Sequence, residues 1–150
     1  MPGIEAGPRF RYLATIGALA LRFRDRPVVC VAGDGDFLMN GQELATAVQH
    51  DADLLVVVVD NGSYGTIRMH QEREYPRRVS GTELQNPDFA ALALAYGASF
   101  AETVEKTEDF APAVDRALAQ GGVRLLHCRT DVEQISNATT ITRLREKAKA

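Results

Sequence analysis

Short apolar runs alternate with amphipathic stretches along this chain, and that alternation predicts an α/β domain. Residues 9–23 place Phe10, Leu13, Ile16 and Ala20 at helical spacing, so a helix is expected there. PVVCVA at 27–32 reads as a buried strand rich in β-branched residues, ending at Gly33. A turn is expected over 33–37. Asn40 with Glu43 three residues on then forms a capping box for a helix reaching about His50. LLVVVV at 54–59 is the most apolar run in the chain and reads as a central parallel strand buried on both faces. Strand, helix and strand in succession make a βαβ unit.

Beyond that unit the pattern loosens. Residues 60–85 read as loop with one short helix near 66–72. Asn86-Pro87-Asp88 is a strong helix start, a capping amide followed by proline at the first helical position, and Gly97 closes that helix. A short strand is expected over 98–104, a helix from 107 to the Gly121-Gly122 pair, a last strand over 123–128 and a final helix over 139–149.

This reading turns two loops into the centre of interest, because in an open parallel sheet ligands bind outside the carboxyl ends of the strands. The first loop is Gly33-Asp34-Gly35-Asp36-Phe37 and the second is Asp60-Asn61-Gly62-Ser63-Tyr64-Gly65. Glycines at 33, 35, 62 and 65 let backbone N–H groups approach an anion. A carboxylate and an amide oxygen are hard donors suited to Mg²⁺, an ion that is commonly shared between one or two carboxylates and phosphate oxygens. Read from the residues alone, Asp34 and Asp36 can equally well cap a turn. Glu43 suits a helix cap better than a catalytic acid. His50, His70 and His127 show neither ligand spacing nor a partnered nucleophile. Arg68 and Arg73 can face a substrate acid, solvent or another subunit.

Composition narrows the partners. The 150 residues fit one domain. A net charge of −3 argues against a nucleic-acid or anionic-membrane surface, and the basic residues Arg22, Arg24, Arg26, Arg77 and Arg78 form only short, interrupted patches. Cys30 and Cys128 lie inside apolar runs, the placement of buried, reduced thiols in a cytoplasmic protein. No apolar segment is long enough to span a bilayer and the amino terminus lacks a signal core, so neither membrane insertion nor secretion is expected.

Gly-Asp-Gly with an asparagine 27 residues after its aspartate is similar to the thiamine-diphosphate motif. The intervening NGQELATAVQHDADLLVVVVDN, the following GSYGTIRMHQEREYP and the later NPDFAALALAYGA and CRTDVEQISNATTITRL resemble the acetolactate-synthase branch of the pyruvate-oxidase and decarboxylase superfamily. The resemblance covers residues 27–145 and sets apart 1–26, a poorly matching segment with one helix. It implies a three-layer fold, a mostly parallel sheet with helices on both faces, for the thiamine-diphosphate- and magnesium-binding domain at 27–150. It implies that Asp34 and Asn61 bind magnesium through side-chain oxygens and Ser63 through its carbonyl. Gly33, Gly35, Asp36, Tyr64, Gly65 and Thr66 would then meet the diphosphate or line its loop. The family usually has Asn-Asn where this chain has Asp60-Asn61. The second residue is the ligand, which leaves Asp60 to cap the strand or order the loop.

The same resemblance implies decarboxylation and carboligation of 2-keto acids by a homo-oligomer. A glutamate from a separate pyrimidine-binding domain ionises the cofactor in this family, and that domain is expected in trans. The glycine-rich GSMG-like stretch that precedes the domain has no counterpart in MPGIEAGPRFR, so a domain incomplete at its N-terminal edge is expected. A truncated, non-catalytic cofactor-binding fragment, or one subunit of a split enzyme, is therefore the main alternative. A haloacid-dehalogenase-type phosphotransferase would use Asp34 and Asp36, but Lys106 is the only lysine before the C-terminal tail. A dinucleotide-binding domain lacks its G-x-G-x-x-G.

Overall fold

The computed structural model describes residues 12–136 and 138–147. Seven helices and four strands follow one another as α1 (Tyr12–Arg22), β1 (Val28–Gly33), α2 (Asp34–Asn40), α3 (Glu43–Gln49), β2 (Leu54–Asp60), α4 (Gly65–Glu74), α5 (Phe89–Ala95), β3 (Phe100–Val104), α6 (Thr107–Ala119), β4 (Val123–Arg129) and α7 (Ile141–Lys147). All strands are parallel, in the order β1-β2-β4-β3. Helices cover both faces, as the α/β reading expected. Residues 9–11 and 148–149 of the expected first and last helices lie outside the described residues.

The central position of β2 follows from its composition. Leu54 to Val58 are all buried, and β2 pairs with β1 on one side and β4 on the other. Alternate side chains build two cores. On one face Cys30, Leu54, Val56, Val58 and Leu125 pack with Ala20 of α1, Phe37 of α2, Leu44 of α3 and Phe89 of α5. On the other, Leu55, Val57, Leu126 and Cys128 meet Ala113 and Ala117 of α6. Cys30 and Cys128 thus sit in different cores, unable to pair, and burial pushes both thiols up from their ordinary pKa.

The second face is covered unevenly. One register row runs Val31, Val57, Leu126, and α6 lies over only the β3–β4 side of it. Exposure accordingly falls from 68% at Val31 to 5% at Val57 and 0% at Leu126. Val29, Val31, Val59, Phe110 and Leu118 line the resulting apolar groove beside the edge strand β1.

Three local expectations are corrected. Residues 33–37 do not form a turn, because the chain enters α2 directly at Asp34; acids at 34 and 36 suit the positive end of a helix. Asn40 does not cap the next helix. It ends α2, and α3 starts at Glu43 behind Gln42, whose side chain makes no capping bond. The cap of α5 is Asp88 and not Asn86: its carboxylate accepts from Ala91 N–H at 3.0 Å. Gly97, with φ +92°, follows that helix where expected.

A buried ion pair fastens the last helix. Glu72 of α4 is fully buried and accepts from Arg145 Nε at 2.9 Å and Nη2 at 2.6 Å, and from the Arg77 backbone N–H at 3.0 Å. Arg145 holds the Glu72 carboxyl below the usual range against the opposing effect of burial, with help from Arg77 N–H and Arg68. Because the folded-state value is depressed, this pair contributes stability above the ordinary carboxylate pKa and loses it as the pH falls through the folded value. The stability difference between the unaltered chain and Glu72→Gln, measured by urea unfolding, is therefore expected to be full at pH 7 and to shrink below about pH 4.3. Leu126→Ala is expected to lower the unfolding free energy by about 2–5 kcal/mol, whereas Val31→Thr at the exposed edge changes it by less than about 0.5 kcal/mol.

Candidate cofactor and metal site

Parallel pairing sets Gly33, the last residue of β1, opposite Val59 in β2. The next residue of each strand or its extension, Asp34 and Asp60, therefore emerges at the same end of the sheet. Asp34 is only 4% exposed, and its Oδ1 accepts from the Gly35 N–H at 2.9 Å. Asp60 Oδ1 accepts from the Gly62 N–H at 2.9 Å, which curls the second loop back on the strand end. Gly62 has φ +65°, a conformation that strains residues with a side chain.

The second loop is held from outside as well. Residues 82–84 run antiparallel to it: Tyr64 N–H donates to Thr82 C=O at 2.8 Å and Leu84 N–H to Gly62 C=O at 2.9 Å. Ser63 Oγ, buried, donates to Thr82 C=O at 2.9 Å. This pairing turns the backbone N–H of Ser63 away from the segment, where it donates to Asn61 Oδ1 at 3.0 Å. The two loops also touch. Gly35 lies under the Tyr64 ring, so closely that a Cβ there would stand 2.6 Å from a ring carbon. Gly65, at the start of α4, leaves room for the Asn61 amide.

Asn86 joins the carboxylates. Its Nδ2 donates to Asp34 Oδ2 and to Asp60 Oδ1, each at 2.7 Å. His127, fully buried on β4, donates from Nε2 to Asp60 Oδ2 at 2.8 Å. Burial pushes the Asp34 carboxyl above its ordinary range, with the neighbouring Asp60 adding to the effect and the Gly35 and Asn86 bonds opposing it. For Asp60 burial also acts upward, but donation from His127, Asn86 and Gly62 outweighs it and leaves the group below its ordinary range. Two adjacent carboxylates that respond oppositely follow from unequal hydrogen bonding.

Of the residues singled out in the sequence, Gly33, Asp34, Gly35, Asn61, Ser63, Tyr64 and Gly65 gather at these two strand ends. Asp36, in the first turn of α2, and Thr66, in the first turn of α4, are exposed there. Arg68 is engaged with Glu72 at 3.7 Å, and Arg73 with Glu74 and His70. Lys106 follows β3 at the opposite edge of the sheet from β1, so it does not accompany Asp34 as phosphotransfer would require. Sequence reasoning missed Asn86 and His127. The only signal for either was a polar residue beside a proline and a histidine inside an apolar strand, and both patterns are common in purely structural settings.

An open parallel α/β sheet with its polar crevice at the carboxyl ends of adjacent strands defines a cofactor-binding domain of the doubly wound class. Residues 12–128 match the family model of the thiamine pyrophosphate enzyme C-terminal TPP-binding domain. The chain belongs to that family, and thiamine diphosphate (the same compound) is the cofactor of the domain. Its match begins at Tyr12, so α1 falls within it.

Among curated proteins the chain is 38% identical over 119 residues to the acetolactate synthase isozyme 2 large subunit of Escherichia coli K12, covering 79% of this chain and 21% of that protein. It is 37% identical over 94 residues to sulfoacetaldehyde acetyltransferase of Alcaligenes xylosoxydans xylosoxydans, covering 63% of this chain and 15% of the relative. Among solved structures, benzoylformate decarboxylase from Polynucleobacter necessarius superposes with a TM-score of 0.77 at 31% identity, covering 85% of this chain and 25% of that one. The chain thus spans a quarter or less of the length of these relatives.

Gly62→Ala is expected to destabilise the chain by about 1–2 kcal/mol, the strain of a left-handed residue with a Cβ. Urea unfolding midpoints check this, with Gly121→Ala, which has open space for a Cβ, as the control.

Proposed function

We propose that this chain binds thiamine diphosphate through Mg²⁺, and forms the diphosphate-binding part of an acetolactate-synthase-like enzyme that decarboxylates and joins 2-keto acids. The observation that carries the reading is the buried Asp34 carboxylate held beside the Asp60-Asn61 loop at the ends of two adjacent parallel strands. In this reading Asp34 and Asn61 supply side-chain oxygens to the metal and Ser63 its backbone carbonyl. Gly33, Gly35, Asp36, Tyr64, Gly65 and Thr66 line the diphosphate subsite.

The donor set fits the ion. Two carboxylates lie within reach of a single amide nitrogen, and Asn86 Oδ1 is a buried acceptor with no donor among the described residues. Such an excess of oxygen and negative charge favours a hard cation. Among the described residues no group of three His, Cys, Asp or Glu is poised around a metal. With Asp34, Asn61 and Ser63 as its protein ligands, the ion would take the rest of its shell from diphosphate and water, the habit of Mg²⁺. Bound thiamine diphosphate supplies the electron sink for carbanion chemistry. The chain's own residues hold the ion, turn glycine backbone toward the phosphates, and fix the position of the loop through Thr82 and Leu84.

Activation of the cofactor belongs, in this proposal, to a pyrimidine-binding domain or subunit in trans, and the working assembly is a cytoplasmic homo-oligomer. The uncovered apolar groove beside β1 supports association. No described helix is long and apolar enough to cross a membrane.

Calorimetric titration tests the binding reading. Thiamine diphosphate is expected to bind only with Mg²⁺ present, and Asp34→Ala or Asn61→Ala to weaken that binding about 10-fold or more. Metal-independent binding of equal strength in both variants would overturn it. An assay with pyruvate, Mg²⁺ and thiamine diphosphate tests the role given to the pyrimidine-binding domain: these 150 residues alone are expected to show no turnover, and robust turnover would refute the need for that domain.

A further inference from the structure

Asn86 is assigned no ligand role in the reading above, yet it joins the two carboxylates of the site. Its amide nitrogen bridges Asp34 of α2 and Asp60 of β2 with two bonds of 2.7 Å. The far side of Asp60 is fixed by His127, whose ring lies edge-on to Phe89 at 5.1 Å, and Phe89 in turn lies edge-on to Phe37 at 5.3 Å. Asp60 is thereby tied to a fully packed aromatic core, and Asp34 is tied to Asp60 through one amide. The orientation of that amide is dictated, since turning it over would set its oxygen against two carboxylates. Its own oxygen stays buried and without a donor among the described residues, which shows that the nitrogen's two bonds decide the geometry.

We infer that Asn86 is a positioning residue that sets the direction of the Asp34 carboxylate for the metal, with Asp60 and His127 as its anchor. The inference rests on the proposal that Asp34 is a ligand. Asn86 need not touch the ion. Its effect is to remove freedom from a carboxylate that, among the described residues, is otherwise held only by the N–H of the adjacent Gly35. Such fixing matters unequally to different cations: Mg²⁺ demands near-ideal octahedral geometry, whereas Ca²⁺ accepts irregular shells. A positioning role therefore predicts a change in selectivity, which a merely structural role would not produce.

The test uses the full chain with saturating thiamine diphosphate and bound Mn²⁺ followed by electron paramagnetic resonance, with Mg²⁺ and Ca²⁺ as competitors. Asn86→Ala is expected to weaken Mg²⁺ about 10- to 100-fold while Ca²⁺ changes by less than about 3-fold. Asn86→Gln keeps the amide but displaces it by one methylene, and is expected to show the same selective loss; it carries the test if the alanine variant does not fold by urea unfolding. Parallel losses for the two ions, or no loss for either, in a folded variant would overturn the inference while leaving the metal site intact. If the unaltered chain takes up neither Mn²⁺ nor Mg²⁺, both the site and the inference fall.

Discussion

Everything in the site depends on the parallel pairing of β1 with β2. The register that sets Val28 against Leu54 and Gly33 against Val59 is enforced by burial, because slipping one strand by one residue would turn its apolar set to the opposite face. For β1 such a slip would drive Val29 and Val31 into the space that Cys30 and Ala32 now fill, and so it is disfavoured. The consequence at the strand ends is fixed as well. Asp34 and Asp60 must emerge side by side, and the chain must manage two neighbouring carboxylates in a partly dry place.

It manages them by hydrogen bonding from four separate parts of the sequence. Gly35 and Gly62 supply local N–H donors, Asn86 spans the pair, and His127 reaches Asp60 from the centre of the sheet. The bonds are unequal, so the Asp60 carboxyl lies below its ordinary range while burial holds Asp34 above its own. In the proposed reading a divalent cation would offset the negative charge that the two carboxylates gather there. Asp60 itself is accommodated by the same donors, and it orders the loop through Gly62.

Apolar surface is distributed unevenly over the two faces of the sheet. One sheet face is sealed by α1, α2, α3 and α5, while α6 seals only the β3–β4 half of the other. An all-parallel sheet is ordinarily buried on both faces. The edge at β1, with Val29 and Val31 exposed, is where this unit departs from that rule, and it lies on the strand that carries Asp34. Site and uncovered edge are thus built on one strand.

Much of this was legible in the residues. The apolar runs at 28–33, 54–60 and 123–129 announce strands because burial of β-branched side chains is a local property, and the Gly-Asp-Gly and Asp-Asn-Gly loops follow from where those strands stop. Helix boundaries were less legible: Asn40 and Asn86 both have the chemistry of caps, and nothing near them in sequence says that Asn40 ends a helix or that Asp88 takes the capping position. The Asn86 bridge spans 52 residues to Asp34, and the His127 bond 67 residues to Asp60. Such contacts exist only once the strand order β1-β2-β4 and the packing of Phe89 bring the partners together. Local sequence determined which residues could bind a phosphate and a cation. Tertiary structure alone decided which distant side chains hold them in place, because that choice depends on burial and register across the whole sheet.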